Sequence, residues 1–247
     1  MNCKCSLCPR MCNIDREVTT GYCGVKQTLR VARAALHFWE EPCISGEEGS
    51  GAVFFTGCNL RCVFCQNYQI ARAEQGKEIT VERLSEIFLE LQEKKANNIN
   101  LVTATHYVPQ VVEALKLAKL QGLHIPVVYN CGGYETVETL KLLEGLVDIY
   151  LPDFKYVDSE RAKRYSHAEN YPEAAKTALA EMVRQQPRAE FDERGMMKKG
   201  VIVRHLMLPG GIKDSKAVVK YLYETYGNQI FVSLMNQYTP LPHVADY

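Results

Sequence analysis

From Gly51 onward, short β-rich apolar runs alternate with stretches in which apolar residues recur every three or four positions. Six runs read as strands, at 52–56, 99–103, 126–130, 147–151, 201–208 and 230–235. Between them, Val81, Leu84, Phe88 and Leu91 fall on one helical face behind Thr80, a residue suited to the N-cap. A second helix opens at Pro109 and stops at Gly122, with proline in the first turn and glycine past the last. Further helices are expected at 136–144, 172–186 and 214–226, the last closed by Gly227. This alternation argues for an α/β fold of βαβ units on a parallel sheet. Right-handed crossovers between six parallel strands would curl the sheet into a partial (β/α)6 barrel, with functional loops at the carboxyl ends of its strands.

The first fifty residues follow a different pattern. Cys5, Cys8, Cys12 and Cys23 are spaced C-x2-C-x3-C-x10-C among Pro9, Gly21 and Gly24, with too little apolar sequence for a core. Such a segment needs a staple. Four thiolates around a metal would supply it, and either zinc or a second iron–sulfur cluster satisfies the ligand count. Cys3 could replace Cys5, and Cys43 lies further off. The Gly- and Ser-rich run 45–51 is a turn signal. It divides the chain into a cysteine-rich module, 1–50, and a core domain, 51–247. Just before it, His37 stands near Trp39 and the acidic pair Glu40 and Glu41; an isolated imidazole reads as a surface or packing residue.

A chain of 247 residues with 47% hydrophobic content can build one sizeable core and a small appendage. Its 29 basic and 29 acidic residues cancel, so net charge points neither to nucleic acid nor to an acidic membrane. The start lacks the apolar region of a signal peptide, and no run approaches the roughly 20 apolar residues of a membrane span. The expected location is the cytoplasm. There, ten cysteines read as metal ligands or free thiols rather than disulfides.

The chemistry concentrates in Cys58-Asn59-Leu60-Arg61-Cys62-Val63-Phe64-Cys65, directly after the first core strand and Gly57. Three thiolates can hold three irons of a [4Fe–4S] cube and leave the fourth without a protein ligand. A zinc knuckle is the competing use of such thiols, but zinc favours C-x2-C paired with a second pair. The loop resembles that of the radical S-adenosylmethionine (SAM) enzymes, whose C-x3-C-x2-C carries an aromatic residue before the third cysteine, here Phe64. The resemblance implies that SAM chelates the open iron and that one electron cleaves it to methionine and a 5′-deoxyadenosyl radical, which abstracts hydrogen. It also implies a flavodoxin- or ferredoxin-like electron donor and, independently, the partial barrel.

The SAM site is expected along the carboxyl ends of the strands. The resemblance implies that backbone near Phe64 meets the adenine and that Asn67 braces the loop. After the second core strand, many family members carry Gly-Gly-Glu; this chain has Thr103-Ala104-Thr105-His106-Tyr107. Thr105 could accept a hydrogen bond from the SAM ammonium. Gly132-Gly133-Tyr134-Glu135 comes one strand too late for that motif and reads as a turn. Asp153 and Lys155 share a face of an extended segment, where they can bind the hydroxyls and carboxylate of a zwitterionic cofactor. This pair resembles an Asp-x-Lys element of glycyl-radical activating enzymes. Asn130 takes the place of an aspartate those enzymes carry after the third strand. The same likeness turns Arg204 and the backbone near Leu206 toward SAM, while His205 alternates to the other side.

Further segments extend the match. Cys5-Ser6-Leu7-Cys8-Pro9-Arg10, Gly21-Tyr22-Cys23-Gly24, Tyr150 to Tyr156 and Arg204 to Gly210 resemble the PflX-like group of radical SAM proteins, related to pyruvate formate-lyase activating enzymes. Members of that group continue past the region matching Tyr247, so a closing segment on the open side of the barrel is expected to be missing here. Two function classes follow. One is a radical SAM enzyme, making a glycyl radical in a partner protein or modifying a peptide or small molecule. The other is a non-catalytic iron–sulfur or zinc protein that uses the scaffold for binding or redox sensing.

Overall fold

The computed structural model describes residues 4–241 and 244; Cys3 and Tyr247 lie outside them. Its strands are β1 (Arg30–His37), β2 (Ser50–Phe55), β3 (Lys77–Glu78), β4 (Ile99–Val102), β5 (Val127–Cys131), β6 (Ile149–Pro152), β7 (Glu190–Phe191), β8 (Met197–Leu206) and β9 (Phe231–Met235). The six runs expected from the sequence are β2, β4, β5, β6, β8 and β9. Each pairs in parallel with the next in chain order. The chain is thus a mixed α/β protein built on a central sheet, as expected.

Three short-range signals were too weak to read. β1 runs antiparallel along β2 from Val31↔Phe55 to His37↔Ser50, β3 pairs with β1, and β7 with β8. Burial along β1 does not alternate, so it lacks the period-two signature of a half-buried strand. Residues 30–37 consequently belong to the central sheet, on the amino-terminal side of the boundary drawn at 50/51.

The expected helices form as α3 (Val81–Glu93), α4 (Val108–Leu120), α5 (Val137–Lys141), α7 (Tyr171–Gln185) and α8 (Ile212–Tyr226), joined by the short α1 (Pro42–Ser45), α2 (Tyr68–Ala71) and α6 (Ser159–Ser166). Thr80 caps α3 by accepting a hydrogen bond from the Arg83 amide at 3.1 Å. Leu84, Phe88 and Leu91 are buried, each contributing roughly 1.5–3 kcal/mol. α6 is mostly polar and carries too few apolar residues to show a period in the sequence. Asp158 starts it, accepting from the Glu160 and Arg161 amides at 2.9 and 3.3 Å. None of the described helices is long and apolar enough to cross a membrane.

Alternation along the strands creates two cores. Val53, Phe55, Leu101, Tyr129, Tyr150 and Val203 pack against the helices. Val128, Ile149, Leu151 and Ile202 face the other way, with Ile44 of α1 packed on them. Asn130, Asp153 and Arg204 share this second face by parity. The α1 segment is held there by polar side chains at the start of β4: Asn97 Nδ2 donates to the Ser45 carbonyl at 2.7 Å, and Asn98 Nδ2 to that of Ile44 at 2.8 Å. Ser50 Oγ donates to Asn98 Oδ1 at 2.6 Å. Asn98→Ala would strand the Ile44 carbonyl and the Ser50 hydroxyl in the interior. It should lower the unfolding free energy by about 2–4 kcal/mol, as read by urea denaturation.

Candidate active site at the carboxyl ends of the strands

β2 delivers the chain into the Cys58 loop through Gly57. This residue has φ +94°, and a Cβ there would stand 2.6 Å from the Cys23 carbonyl oxygen, so only glycine fits without strain. The loop is tied down on several sides. The Cys58 amide donates to the Cys23 carbonyl at 3.2 Å and the Val63 amide to that of Tyr165 at 2.9 Å. Arg10 Nε donates to the Asn59 carbonyl at 2.8 Å, and the Asn59 side chain donates to that of Tyr134 at 2.7 Å. The Arg10 guanidinium also reaches the Ser166 and His167 carbonyls at the end of α6.

Each of the three thiols meets a donor suited to a thiolate. The Leu60 amide points at Cys58 Sγ at 3.4 Å, Ser166 Oγ donates to Cys62 Sγ at 2.9 Å, and the Asn67 backbone faces Cys65. Burial nevertheless raises the Cys62 thiol and pushes Cys65 up to about 12, against the pull of Lys155. Binding a metal therefore has to expel their protons. Among the described residues, no three His, Cys, Asp or Glu side chains converge on a single ion, and three thiols that each hold a different iron of a cube do not need to. Three thiols on one loop, each with its own donor, fit an iron–sulfur cube attached at three corners.

A cavity of about 310 Å³ opens beside the loop, walled by Trp39, Phe64, Cys65, Asp153, Lys155, Arg204, Leu206 and Met235, among others. Its floor is a half-buried charge network. Lys155 Nζ lies 2.6 Å from Asp153 Oδ2 and 5.9 Å from the Phe64 ring centre. Arg204 uses Nε on Asp153 Oδ1 at 3.1 Å and its terminal nitrogens on Asn130 Oδ1 at 2.6 Å and Glu40 Oε2 at 3.1 Å. Burial works to raise the Asp153 carboxyl, but Lys155 and Arg204 outweigh it and hold it below its ordinary value. At Glu40 burial wins over Arg204, and the carboxyl is raised.

Phe64, Cys65, Asp153, Lys155, Arg204 and Leu206, all expected from the sequence, therefore meet in one cavity, with Asn130 behind Arg204. Two expected residues stand elsewhere. Asn67 is exposed at the start of α2 and makes no side-chain capping bond. Thr105 is buried, and its hydroxyl donates to Glu135 Oε1 at 2.9 Å. That buried pair, joined by Tyr129 at 3.2 Å from Glu135 Oε2, lies behind the sheet. His205 also faces the helices, held between the Phe154 carbonyl and Ser215 Oγ. Glu40 and Trp39 were missed; an acidic pair beside the chain's one tryptophan was the available signal. Cys5, Cys8, Cys12 and Cys23 are neighbours next to the Cys58 loop. A larger groove of about 580 Å³, between α8 and β9, is mainly apolar and has no comparable charge network.

A profile of the radical SAM superfamily matches residues 52–210. An uncharacterized protein of Methanocaldococcus jannaschii is 30% identical over 250 residues, covering 98% of this chain and 68% of that protein. A pyruvate formate-lyase-activating enzyme of Clostridium pasteurianum is 33% identical over 119 residues, which is 45% of this chain and 48% of that enzyme.

Two buried groups near the loop give opposing pH responses. Burial pushes His106 down to about 3, its Nε2–H donating to the Thr56 carbonyl at 2.8 Å. Burial raises Glu135 to about 7 despite its hydrogen bonds. Below about pH 6.5 the unfolded chain takes a proton on His106 that the folded chain refuses, so this residue costs stability as pH falls. Above about pH 4.5 the folded chain keeps a proton on Glu135 that the unfolded chain loses, so this one costs stability as pH rises. Between about pH 5 and 6.5, His106→Gln should make the slope of unfolding free energy against pH more negative than in the parent, and Glu135→Gln more positive. Each change is bounded by about 1.4 kcal/mol per pH unit, and urea unfolding across that window would measure it.

Proposed function

The chain belongs to the radical SAM superfamily, and from that premise we propose that it is a hydrogen-abstracting radical enzyme whose cluster sits on Cys58, Cys62 and Cys65. When bound, a [4Fe–4S] cluster carrying SAM supplies a 5′-deoxyadenosyl radical. The six consecutive parallel strands, with the cysteine loop after the first, support the partial (β/α)6 barrel as the scaffold. The observation that carries the reading is the junction of that loop with a cation-rich cavity at the ends of later strands.

The chain's own residues divide the work of binding. The three thiols anchor the cluster, and the donors from Leu60, Ser166 and Asn67 stabilise them as thiolates. Lys155 and Arg204 present positive charge to the carboxylate of SAM, and Asp153 faces its ammonium or hydroxyls. Phe64 closes one wall next to Lys155. Glu40 and Asn130 orient Arg204 from beneath, so its guanidinium is fixed before the cofactor arrives. A flavodoxin- or ferredoxin-like protein fits as electron donor. The name of the Clostridium relative makes activation of a pyruvate formate-lyase-like partner the first substrate class to test.

Anaerobically reconstituted, reduced protein should release 5′-deoxyadenosine from SAM. Cys62→Ala should keep the parent's circular dichroism spectrum and lose that release; cleavage at the parental rate would refute the ligand assignment. Lys155→Met should leave the iron content unchanged but weaken SAM binding by about tenfold, equivalent to about 1.4 kcal/mol, in anaerobic calorimetry. Loaded protein that binds SAM and never yields deoxyadenosine, while a control enzyme does, would instead establish a binding or sensing role.

A further inference from the structure

The segment ahead of β1 is held together by few apolar contacts. No helix or strand forms among its described residues, and Cys23, Val25 and Leu29 are its buried hydrophobics. Its organisation centres on sulfur instead. Cys8 lies within electrostatic reach of Cys12 and Cys23, and Cys23 within reach of Cys5. A Cβ on Gly21 would stand 3.5 Å from Cys23 Sγ and 3.6 Å from Cys12 Sγ, so the glycine leaves those two thiols a shared space.

The turns around these cysteines repeat those of the Cys58 loop. The Arg10 amide faces the Cys8 sulfur two residues back, as Leu60 faces Cys58 and Asn67 faces Cys65. The Tyr22 amide points at Cys12 Sγ at 3.5 Å. The Met11 amide closes the turn on the Cys8 carbonyl at 3.0 Å, with Met11 and Asn13 in the left-handed region at φ 43° and 53°. Amide donors aimed at Cys8 and Cys12 suit the thiolate form that a metal binds. The same segment touches the Cys58 loop through the Cys23 carbonyl, Arg10 and the Tyr22 hydroxyl, which donates to the Leu60 carbonyl at 3.4 Å.

We propose that metal loading draws Cys5, Cys8, Cys12 and Cys23, which do not yet converge on one point, into a four-thiolate centre, occupied by zinc or an iron–sulfur cluster, that fixes the backbone of residues 57–60. Loading it releases the thiol protons and involves no change of oxidation state in the protein. The metal centre stands on its own residues; its role in positioning the neighbouring loop for catalysis rests on the radical SAM reading.

The test uses the full chain carrying Cys58→Ser, Cys62→Ser and Cys65→Ser together, prepared without oxygen. Elemental analysis and X-ray absorption at the zinc and iron edges should find sulfur-bound metal, lost when Cys8→Ser and Cys12→Ser are added. One zinc per chain, or iron with matching sulfide, identifies the occupant. Metal no higher than in a chain lacking all seven cysteines would overturn the proposal. The positioning role is read on the same triple variant by hydrogen exchange before and after a chelator strips the metal. Exchange at the position-58 amide should become about tenfold faster while α4 is unchanged; an unaltered rate at position 58 would remove that role. Neither readout uses SAM cleavage, so the two proposals fail separately.

Discussion

Arg204 and its partners impose the constraint on which the site depends. Two cations and two carboxylates are drawn together on the inner face of the sheet, and none can be left alone there without a penalty of several kcal/mol. The network collects Asn130 from β5, Asp153 beyond β6, Arg204 from β8 and Glu40 from the segment between β1 and α1. It also coincides with a break in the sheet. β6 and β8 pair regularly only at Ile149↔Gly200 and Tyr150↔Val201, and contact resumes as a single bridge at Asp153↔Arg204. The Phe154 amide, donating to the Arg204 carbonyl at 2.8 Å, locks the two ends. The ladder lapses at Leu151 and Pro152, where proline has no N–H to give, and resumes at the charged pair.

Two residues near this network hold an unusual backbone. Thr103, at the carboxyl end of β4, has φ 59°, a conformation that costs a β-branched residue roughly 1–3 kcal/mol. Its amide donates to the Asn130 carbonyl at 2.8 Å, so the strained turn and the network support each other. Arg61, inside the cysteine loop, is likewise left-handed at φ 55°. The loop is then caged from outside by Arg10, which stacks 3.8 Å above the Tyr22 ring and bridges the loop to α6. The three-cysteine loop is thereby kept in place by the rest of the fold.

Local physics made the framework and half of the site readable. Six apolar runs became six parallel strands because strand and helix periods are written in adjacent residues. The triad of Cys58, Cys62 and Cys65 and the pair of Asp153 and Lys155 were legible for the same reason, being spaced within a single loop or strand end. β1 and α6 escaped because neither shows a clean period: one is irregularly buried and the other mostly polar.

What only the tertiary structure decided is which distant side chains share a charge. Glu40 is 164 residues from Arg204, and no local pattern says that its carboxylate will lie against that guanidinium. Thr105 is buried, and its hydroxyl donates to Glu135 from 30 residues away. The chain alone determined its six parallel strands, the five helices with a sequence signal and its three-thiol loop, since these follow from short-range sterics and spacing. Folding determined the charge balance of the cavity, since a buried ion takes the partner that chain crossing brings near, whatever their separation in sequence.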